Sequence, residues 1–390
     1  MKSNLLKHLF SLLFICLAVS ATAQSEERVY IKTPLTVEPG TSTANISFTL
    51  ALQADEIENP YVGYQFDIVL PDGLEFDYNK SGKPRVSLVK TGFYPYYSEW
   101  EYDDETEEEV ETKVYPHQLA TSVVRGALRV IVYSAHEDEN MRYFAKKSGD
   151  LVKVYVRPTA YLKPGEVNIT LRDLTFAKMD ATAGLEAAEM PVSGITATTT
   201  STVNLTVSAT NKFSTAVLPF DVAEIPAALE VYSCGSTSGE NLVLSRQQSI
   251  KAYIPYILYA ANGYSGTLTG TVDASKYAAT VTDGYLTGTV VTQEIGGGNG
   301  YYVMQNKGDG PMFYRIDDEM TFSIPAGKCW LTLPAELQGS VSFRLDGTTA
   351  IDEVKTESGN VKSIFDLTGR RVENPASGIY IINGKKQVIK

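Results

Sequence analysis

Cysteine, histidine and tryptophan are all scarce in this chain of 390 residues, which holds three cysteines, three histidines and two tryptophans. So few thiols and imidazoles, with no CxxC pair and no Cys/His cluster, exclude a structural zinc site of the usual spacing. Positive charge is short as well: 34 Lys and Arg stand against 46 Asp and Glu, a net charge of −12. Nucleic acid, whose phosphates attract Lys and Arg clusters, is not an expected partner. No cofactor motif is present. Gly296-Gly297-Gly298-Asn299-Gly300 lacks the Lys-Ser or Lys-Thr and the helix of a phosphate cradle, and it reads as a hairpin tip.

Long apolar runs are missing too. The one near the start, Leu9 to Val19, is shorter than the about 20 residues that span a bilayer. With Lys2 before it and Ala21-Thr22-Ala23 after it, the pattern is that of a secretory signal peptide over residues 1–23, cleaved before Gln24. Cys16 lies inside the run after Ile15, unlike a lipobox cysteine, and would be discarded with it. Losing Lys2 and Lys7 makes the exported chain two charges more negative. No transmembrane segment is expected after cleavage, and export is the expected fate.

Helical periodicity is nearly absent; Ala183 to Met190 is the nearest helix candidate. What recurs instead is the alternation of strands: Ala44 to Leu50, Val62 to Leu70, Ala127 to Tyr133, Leu151 to Val156 and Val167 to Leu171. Gly, Pro, Asn and Asp fill the spaces between them. The expected fold class is all-β, an antiparallel β-sandwich over 24–210, a second β domain over 211–345 and a short β tail over 346–390. Thr202 to Val207 reads as an edge strand closing the first domain, with a boundary near Asn211. Turn signals at Asn262-Gly263, Asp283-Gly284 and Asp309-Gly310 bound short strands of the second domain such as Ser265 to Val272 and Tyr285 to Val291. In the tail, Asn383-Gly384 lets Val388 and Ile389 fold back on Ile379 to Ile382.

The tail sequence Ile364-Phe365-Asp366-Leu367-Thr368-Gly369-Arg370-Arg371-Val372, followed by Gly378-Ile379-Tyr380-Ile381 and a Lys-rich end, resembles the C-terminal sorting domains of type IX secretion substrates. That resemblance implies a bacterial exporter whose secretion machinery is a partner of the tail, with the outer-membrane surface or the medium as the expected location. The first domain, with Val37-Glu38-Pro39-Gly40, Tyr61 to Pro71, Leu128 to Ser134, Gly149 to Val154 and Pro164 to Leu171, resembles a cohesin-like sandwich of the carbohydrate-binding-module superfamily. It implies a binding scaffold and leaves the ligand open. Leu218 to Val222, Ile254 to Leu258 and Ile324 to Leu331 resemble an uncharacterised β module of bacterial surface proteins, a resemblance from which no activity follows.

No catalytic constellation is legible. His117 and His136 belong to no GxSxG or HExxH motif and read as surface or turn residues. Asp221, Asp317, Asp318 and Glu319 are the carboxylates nearest to a glycosidase pair. Cys234 and Cys329, exported to an oxidising compartment, form either a disulfide or two buried thiols. The segment that stands out runs from Phe93-Tyr94-Pro95-Tyr96-Tyr97 and Trp100 into Glu99–Glu111, where nine of thirteen residues are acidic. Aromatic faces stack on sugars or pack on a protein, and carboxylates accept hydroxyls, so Tyr94, Tyr96, Tyr97, Trp100, Glu99 and Glu101 are the expected ligand-binding set. The blander reading is a solvated loop covering the sandwich edge. Expected, then, is a non-catalytic binding, adhesion or scaffold protein that engages a glycan or a surface protein; a carbohydrate-active hydrolase and a purely structural surface component are the alternatives.

Overall fold

The computed structural model describes residues 27–54, 61–103, 108–238, 241–297, 300–306, 311–333, 340–342, 354–357, 364–365, 378–382 and 385–389. The leader at 1–23, Asp309-Gly310, Asp346-Gly347, Asn383-Gly384 and the sorting motif from Asp366 to Val372 lie outside the described residues. Among the described residues, the regular structure is all strand apart from two short 3-10 turns. The chain divides into two compact units, Met1–Ser201 and Thr202–Lys390.

Strands of the first unit are β1 (Arg28–Ile31), β2 (Leu35–Val37), β3 (Ser47–Gln53), β4 (Tyr61–Val69), β5 (Leu74–Phe76), β6 (Val86–Leu88), β7 (Tyr97–Asp103), β8 (Glu108–Val114), β9 (His117–Val124), β10 (Ala127–Ser134), β11 (Gly149–Pro158), β12 (Gly165–Lys178) and β13 (Ala183–Ala197). One sheet runs β1-β3-β11-β5, with β6 also on β11; the other runs β2-β13-β12-β4-β10-β9. Pairing is antiparallel except where β2 meets β13. This is a β-sandwich, and the alternation in the sequence is its cause. Along β4, Tyr64, Phe66 and Ile68 point into the core while Gln65 is exposed between them. They meet Leu50, Leu52, Val152 and Val154 of the other sheet in one apolar cluster. Each large side chain enclosed this way contributes about 1.5–3 kcal/mol.

Ala183 to Met190, the helix candidate, is strand: Ala187 faces Leu174 and Met190 faces Leu171 across the β12–β13 ladder. Its Ala, Leu, Glu and Met favour helix by propensity, and tertiary pairing overrides them. Thr202 to Val207 is strand as expected, but it belongs to the second unit, where it pairs with Tyr264–Thr271 rather than closing the first sandwich. Thr202 and Thr269 share a hydroxyl hydrogen bond there, and Thr267 donates to Asn204.

In the second unit a sheet runs from Phe213–Val217 through Pro255–Tyr259, Glu230–Ser238, Asn241–Gln247, Val354–Glu357, Ser340–Ser342, Pro311–Arg315, Tyr301–Asn306, Lys328–Thr332 and Leu286–Thr289 to Thr280–Asp283. It folds over so that Cys329 N donates to Thr215 Oγ1 at 3.1 Å, enclosing Tyr232, Ile257, Leu286, Tyr302, Phe313 and Leu331. Val354–Glu357, expected in the tail, is therefore part of this sheet. Gly284 makes the hairpin after Asp283 at φ +58°, a left-handed value that glycine adopts at no steric cost. Ile364–Phe365, Gly378–Ile382 and Lys385–Ile389 form a separate small sheet, with Ile379 opposite Val388 as the sequence led us to expect.

Candidate functional site

The aromatic run divides at Pro95 into a buried foot and an exposed arm. At the foot, Phe93 stacks on Phe144 with ring centroids 4.5 Å apart. Phe93 also lies directly over Gly149, where an added Cβ would sit 2.6 Å from the ring, so the close approach needs glycine. Tyr94 is fully enclosed; its hydroxyl lies 2.7 Å from that of Tyr64 and donates to Leu151 O at 2.8 Å. Burial raises the Tyr94 phenol well above its ordinary range. The returning leg is fixed by His117, whose ring packs 4.9 Å from Phe144 and 5.4 Å from Tyr94.

Tyr94 thus belongs to the core and cannot touch a ligand, a correction to the expected set. His117 is likewise no surface histidine. It is 3% exposed, and its ring nitrogens lie by the backbone at Arg142 and Val62 without a well-formed hydrogen bond among the described residues. Burial holds its pKa down to about 4, outweighing the backbone at Arg142 and Val62, which favours the cation.

Beyond Pro95 the acidic segment is a hairpin, β7 against β8, rather than an irregular loop; its residues 104–107 are outside the described set. In an antiparallel pair, residues directly opposite share a face and neighbours along a strand alternate. Trp100 is opposite Glu111, Tyr102 opposite Glu109 and Ser98 opposite Lys113, which makes one face. Tyr96 joins it, with Lys113 Nζ 4.3 Å from its ring centroid and Tyr115 at 5.7 Å. Contact with Tyr96 raises the Lys113 pKa, keeping the ammonium charged. The opposite face carries Tyr97, Glu99 and Glu101, facing Val114, Thr112 and Val110.

The expected ligand-binding residues are consequently split. Tyr96 and Trp100 share one face, Tyr97, Glu99 and Glu101 the other, and Tyr97 is half-buried against His136 at 5.4 Å. Sequence reasoning missed Tyr102, Lys113 and Tyr115, which continue the first face; parity from Trp100 and the i, i+2 spacing would have found Tyr102. Trp100 and Tyr102 are 60% and 62% exposed, unusual for rings of this size. A partner covering the rest of each gains roughly 3 kcal/mol per ring. The hairpin is not tuned for its own stability: it is two-stranded, and Asp103 faces Glu108, like charges across the ladder.

Elsewhere the residues weighed for chemistry disperse. Asp221 accepts from Ala252 N at 2.8 Å and pairs with Lys251 at 3.5 Å, and the Ala252 bond lowers its pKa. Asp317, Asp318 and Glu319 line a different, open depression with Arg315, which pairs with Asp318 at 3.1 Å. Cys234 and Cys329 are both buried and free, and burial pushes each up to about 12. Among the described residues no group of three His, Cys, Asp or Glu is placed to hold a metal ion, and no helix is long and apolar enough to cross a membrane. A shallow concavity on the six-stranded sheet contains Arg129, already held by both oxygens of Asp67 at 2.7 and 2.8 Å.

No family model and no curated protein matches the chain. Among solved structures it is similar to a cohesin module from a Clostridium perfringens family 33 glycoside hydrolase, at 14% identity over 44% of this chain and 97% of that one, with a TM-score of 0.28. A chain of a type I cohesin–dockerin complex from Clostridium thermocellum matches at 11% identity over 44% and 96%, TM-score 0.29. The sixth cohesin of Acetivibrio cellulolyticus scaffoldin B, in complex with a dockerin, matches at 12% over 44% and 97%, TM-score 0.28. Scores this low carry no argument about function, and the sandwich rests on its own sheets.

Proposed function

We propose that the protein is an exported, non-catalytic binding or adhesion protein of the bacterial cell surface, which engages a glycan or a surface protein through the β7–β8 hairpin. The observation that carries this is the row Tyr96, Trp100, Tyr102 on one hairpin face, open to solvent while the foot of the same segment is locked into the core. Aromatic anchors dominate recognition because they cover large area with few rotatable bonds, and the flanking carboxylates orient the ligand. The test is a screen of the leaderless chain against glycan and purified surface-protein arrays. A ligand whose binding weakens on Trp100→Ala supports the reading. A well-folded chain that binds nothing leaves the structural role, and one whose binding ignores the hairpin places the site elsewhere.

Export rests on the leader and on the sorting resemblance of the tail. Because Val354–Glu357 belongs to the large sheet, the informative deletion starts at Ile364. Removal of 364–390 should leave a folded protein in the periplasm; normal arrival at the surface would reject the sorting role.

A further inference from the structure

The second unit has a cavity of about 320 Å³ between the Phe213–Val217 strand and the Tyr301–Asn306 and Thr321–Ile324 strands. Its lining includes Phe213, Val303, Met304 and Ile324, together with Lys328. The ammonium donates to Ser214 Oγ at 2.9 Å and to Thr215 O at 3.3 Å. An ammonium has three donors, so one remains for a further acceptor. Among the described residues no carboxylate forms an ion pair with Lys328, unlike Lys251 or Lys276, which each hold an aspartate.

A desolvated cation with no counter-charge is costly, and burial accordingly lowers the Lys328 pKa. Cys329 beside it does not supply the charge, since its thiol is pushed up to about 12 and stays protonated. The cavity has room for about ten waters' worth of liquid volume, enough for a short acyl chain or a ring or two. An apolar cleft with one convergent cation is the usual construction of a small-molecule site.

We propose that this cavity binds a small organic anion, its apolar body on Phe213, Val303 and Met304 and its single acidic group on Lys328 Nζ beside the Ser214 hydroxyl. The site is independent of the hairpin. The probes are octanoate and its neutral counterpart octanol, titrated calorimetrically into the leaderless full chain. Octanoate should bind about tenfold more tightly than octanol, the effect of one charge-assisted hydrogen bond. Lys328→Met should erase that preference. Ser323→Trp, a change at an exposed position on the cavity rim, should abolish both titrations and leaves the test open if the lysine variant does not fold. Equal affinity for the two probes, octanoate binding unchanged in Lys328→Met, or retention of octanoate binding in Ser323→Trp would each overturn the proposal.

Discussion

Tyr94 and Tyr96 are two residues apart and face opposite fates. Tyr94 is sealed among Tyr64, Phe93, Phe144 and His117, with its hydroxyl bonded inside; Tyr96 is 41% exposed, its ring meeting Tyr115 and Lys113. The same contrast holds along the segment: the foot gives stability and the arm gives none that its burial can account for. An aromatic-rich stretch is therefore not one functional unit, and the two halves should respond to mutation in opposite ways.

The largest effect is expected at the foot. Tyr94→Ala removes a fully buried ring and strands the Tyr64 hydroxyl, and should lower stability by about 3–5 kcal/mol in a chemical denaturation series. A loss near zero would dissolve the distinction between foot and arm. His117 should make the foot acid-sensitive. Its pKa is about 4 folded and 6.5 in the ordinary, unfolded condition. The unfolded chain then binds the proton first, so stability is intact above about 6.5 and falls as the pH drops toward 4, by roughly 3 kcal/mol in all. Acidic groups also titrate in that range, and the comparison is with His117→Phe. The variant should show a shallower pH dependence; parallel curves would mean that the imidazole finds a partner.

On the arm, Trp100→Ala should change stability by no more than about 0.5 kcal/mol and weaken binding of the array-identified ligand by about 2 kcal/mol. A sharp fall in melting temperature would show that the ring covers the core. Smallest of all, Lys113→Met should leave the melting temperature unchanged and free the face of Tyr96. If it melts markedly earlier, the arm carries structure that its exposure does not reveal.

Much of the fold was legible. The runs at Tyr61–Val69, Ala127–Ser134 and Gly149–Pro158 alternate because one face of each is buried, and that period survives in the sequence. Partners were not legible: the alternation of Thr202 to Val207 announces a strand without saying that Tyr264–Thr271 is beside it. Nor was the Tyr94 environment, which depends on Gly149 and His117 far along the chain, with Pro95 interrupting the parity that would have told inward from outward. The site suffered the same way, since Lys113 and Tyr115 become neighbours of Tyr96 only once β8 returns along β7. The state of Cys234 and Cys329 was open for the same reason, as composition does not position two Cα atoms.

The most direct measurement of the split uses the scarcity of tryptophan. Trp330 is 6% exposed and Trp100 60% exposed, so a Trp330→Phe chain reports from the arm alone. Acrylamide, a neutral quencher that the surrounding carboxylates do not repel, should quench Trp100 nearly as fully as free indole in the unliganded protein and much less once the hairpin ligand is added. Protection of Trp100 before any ligand is present would contradict the account.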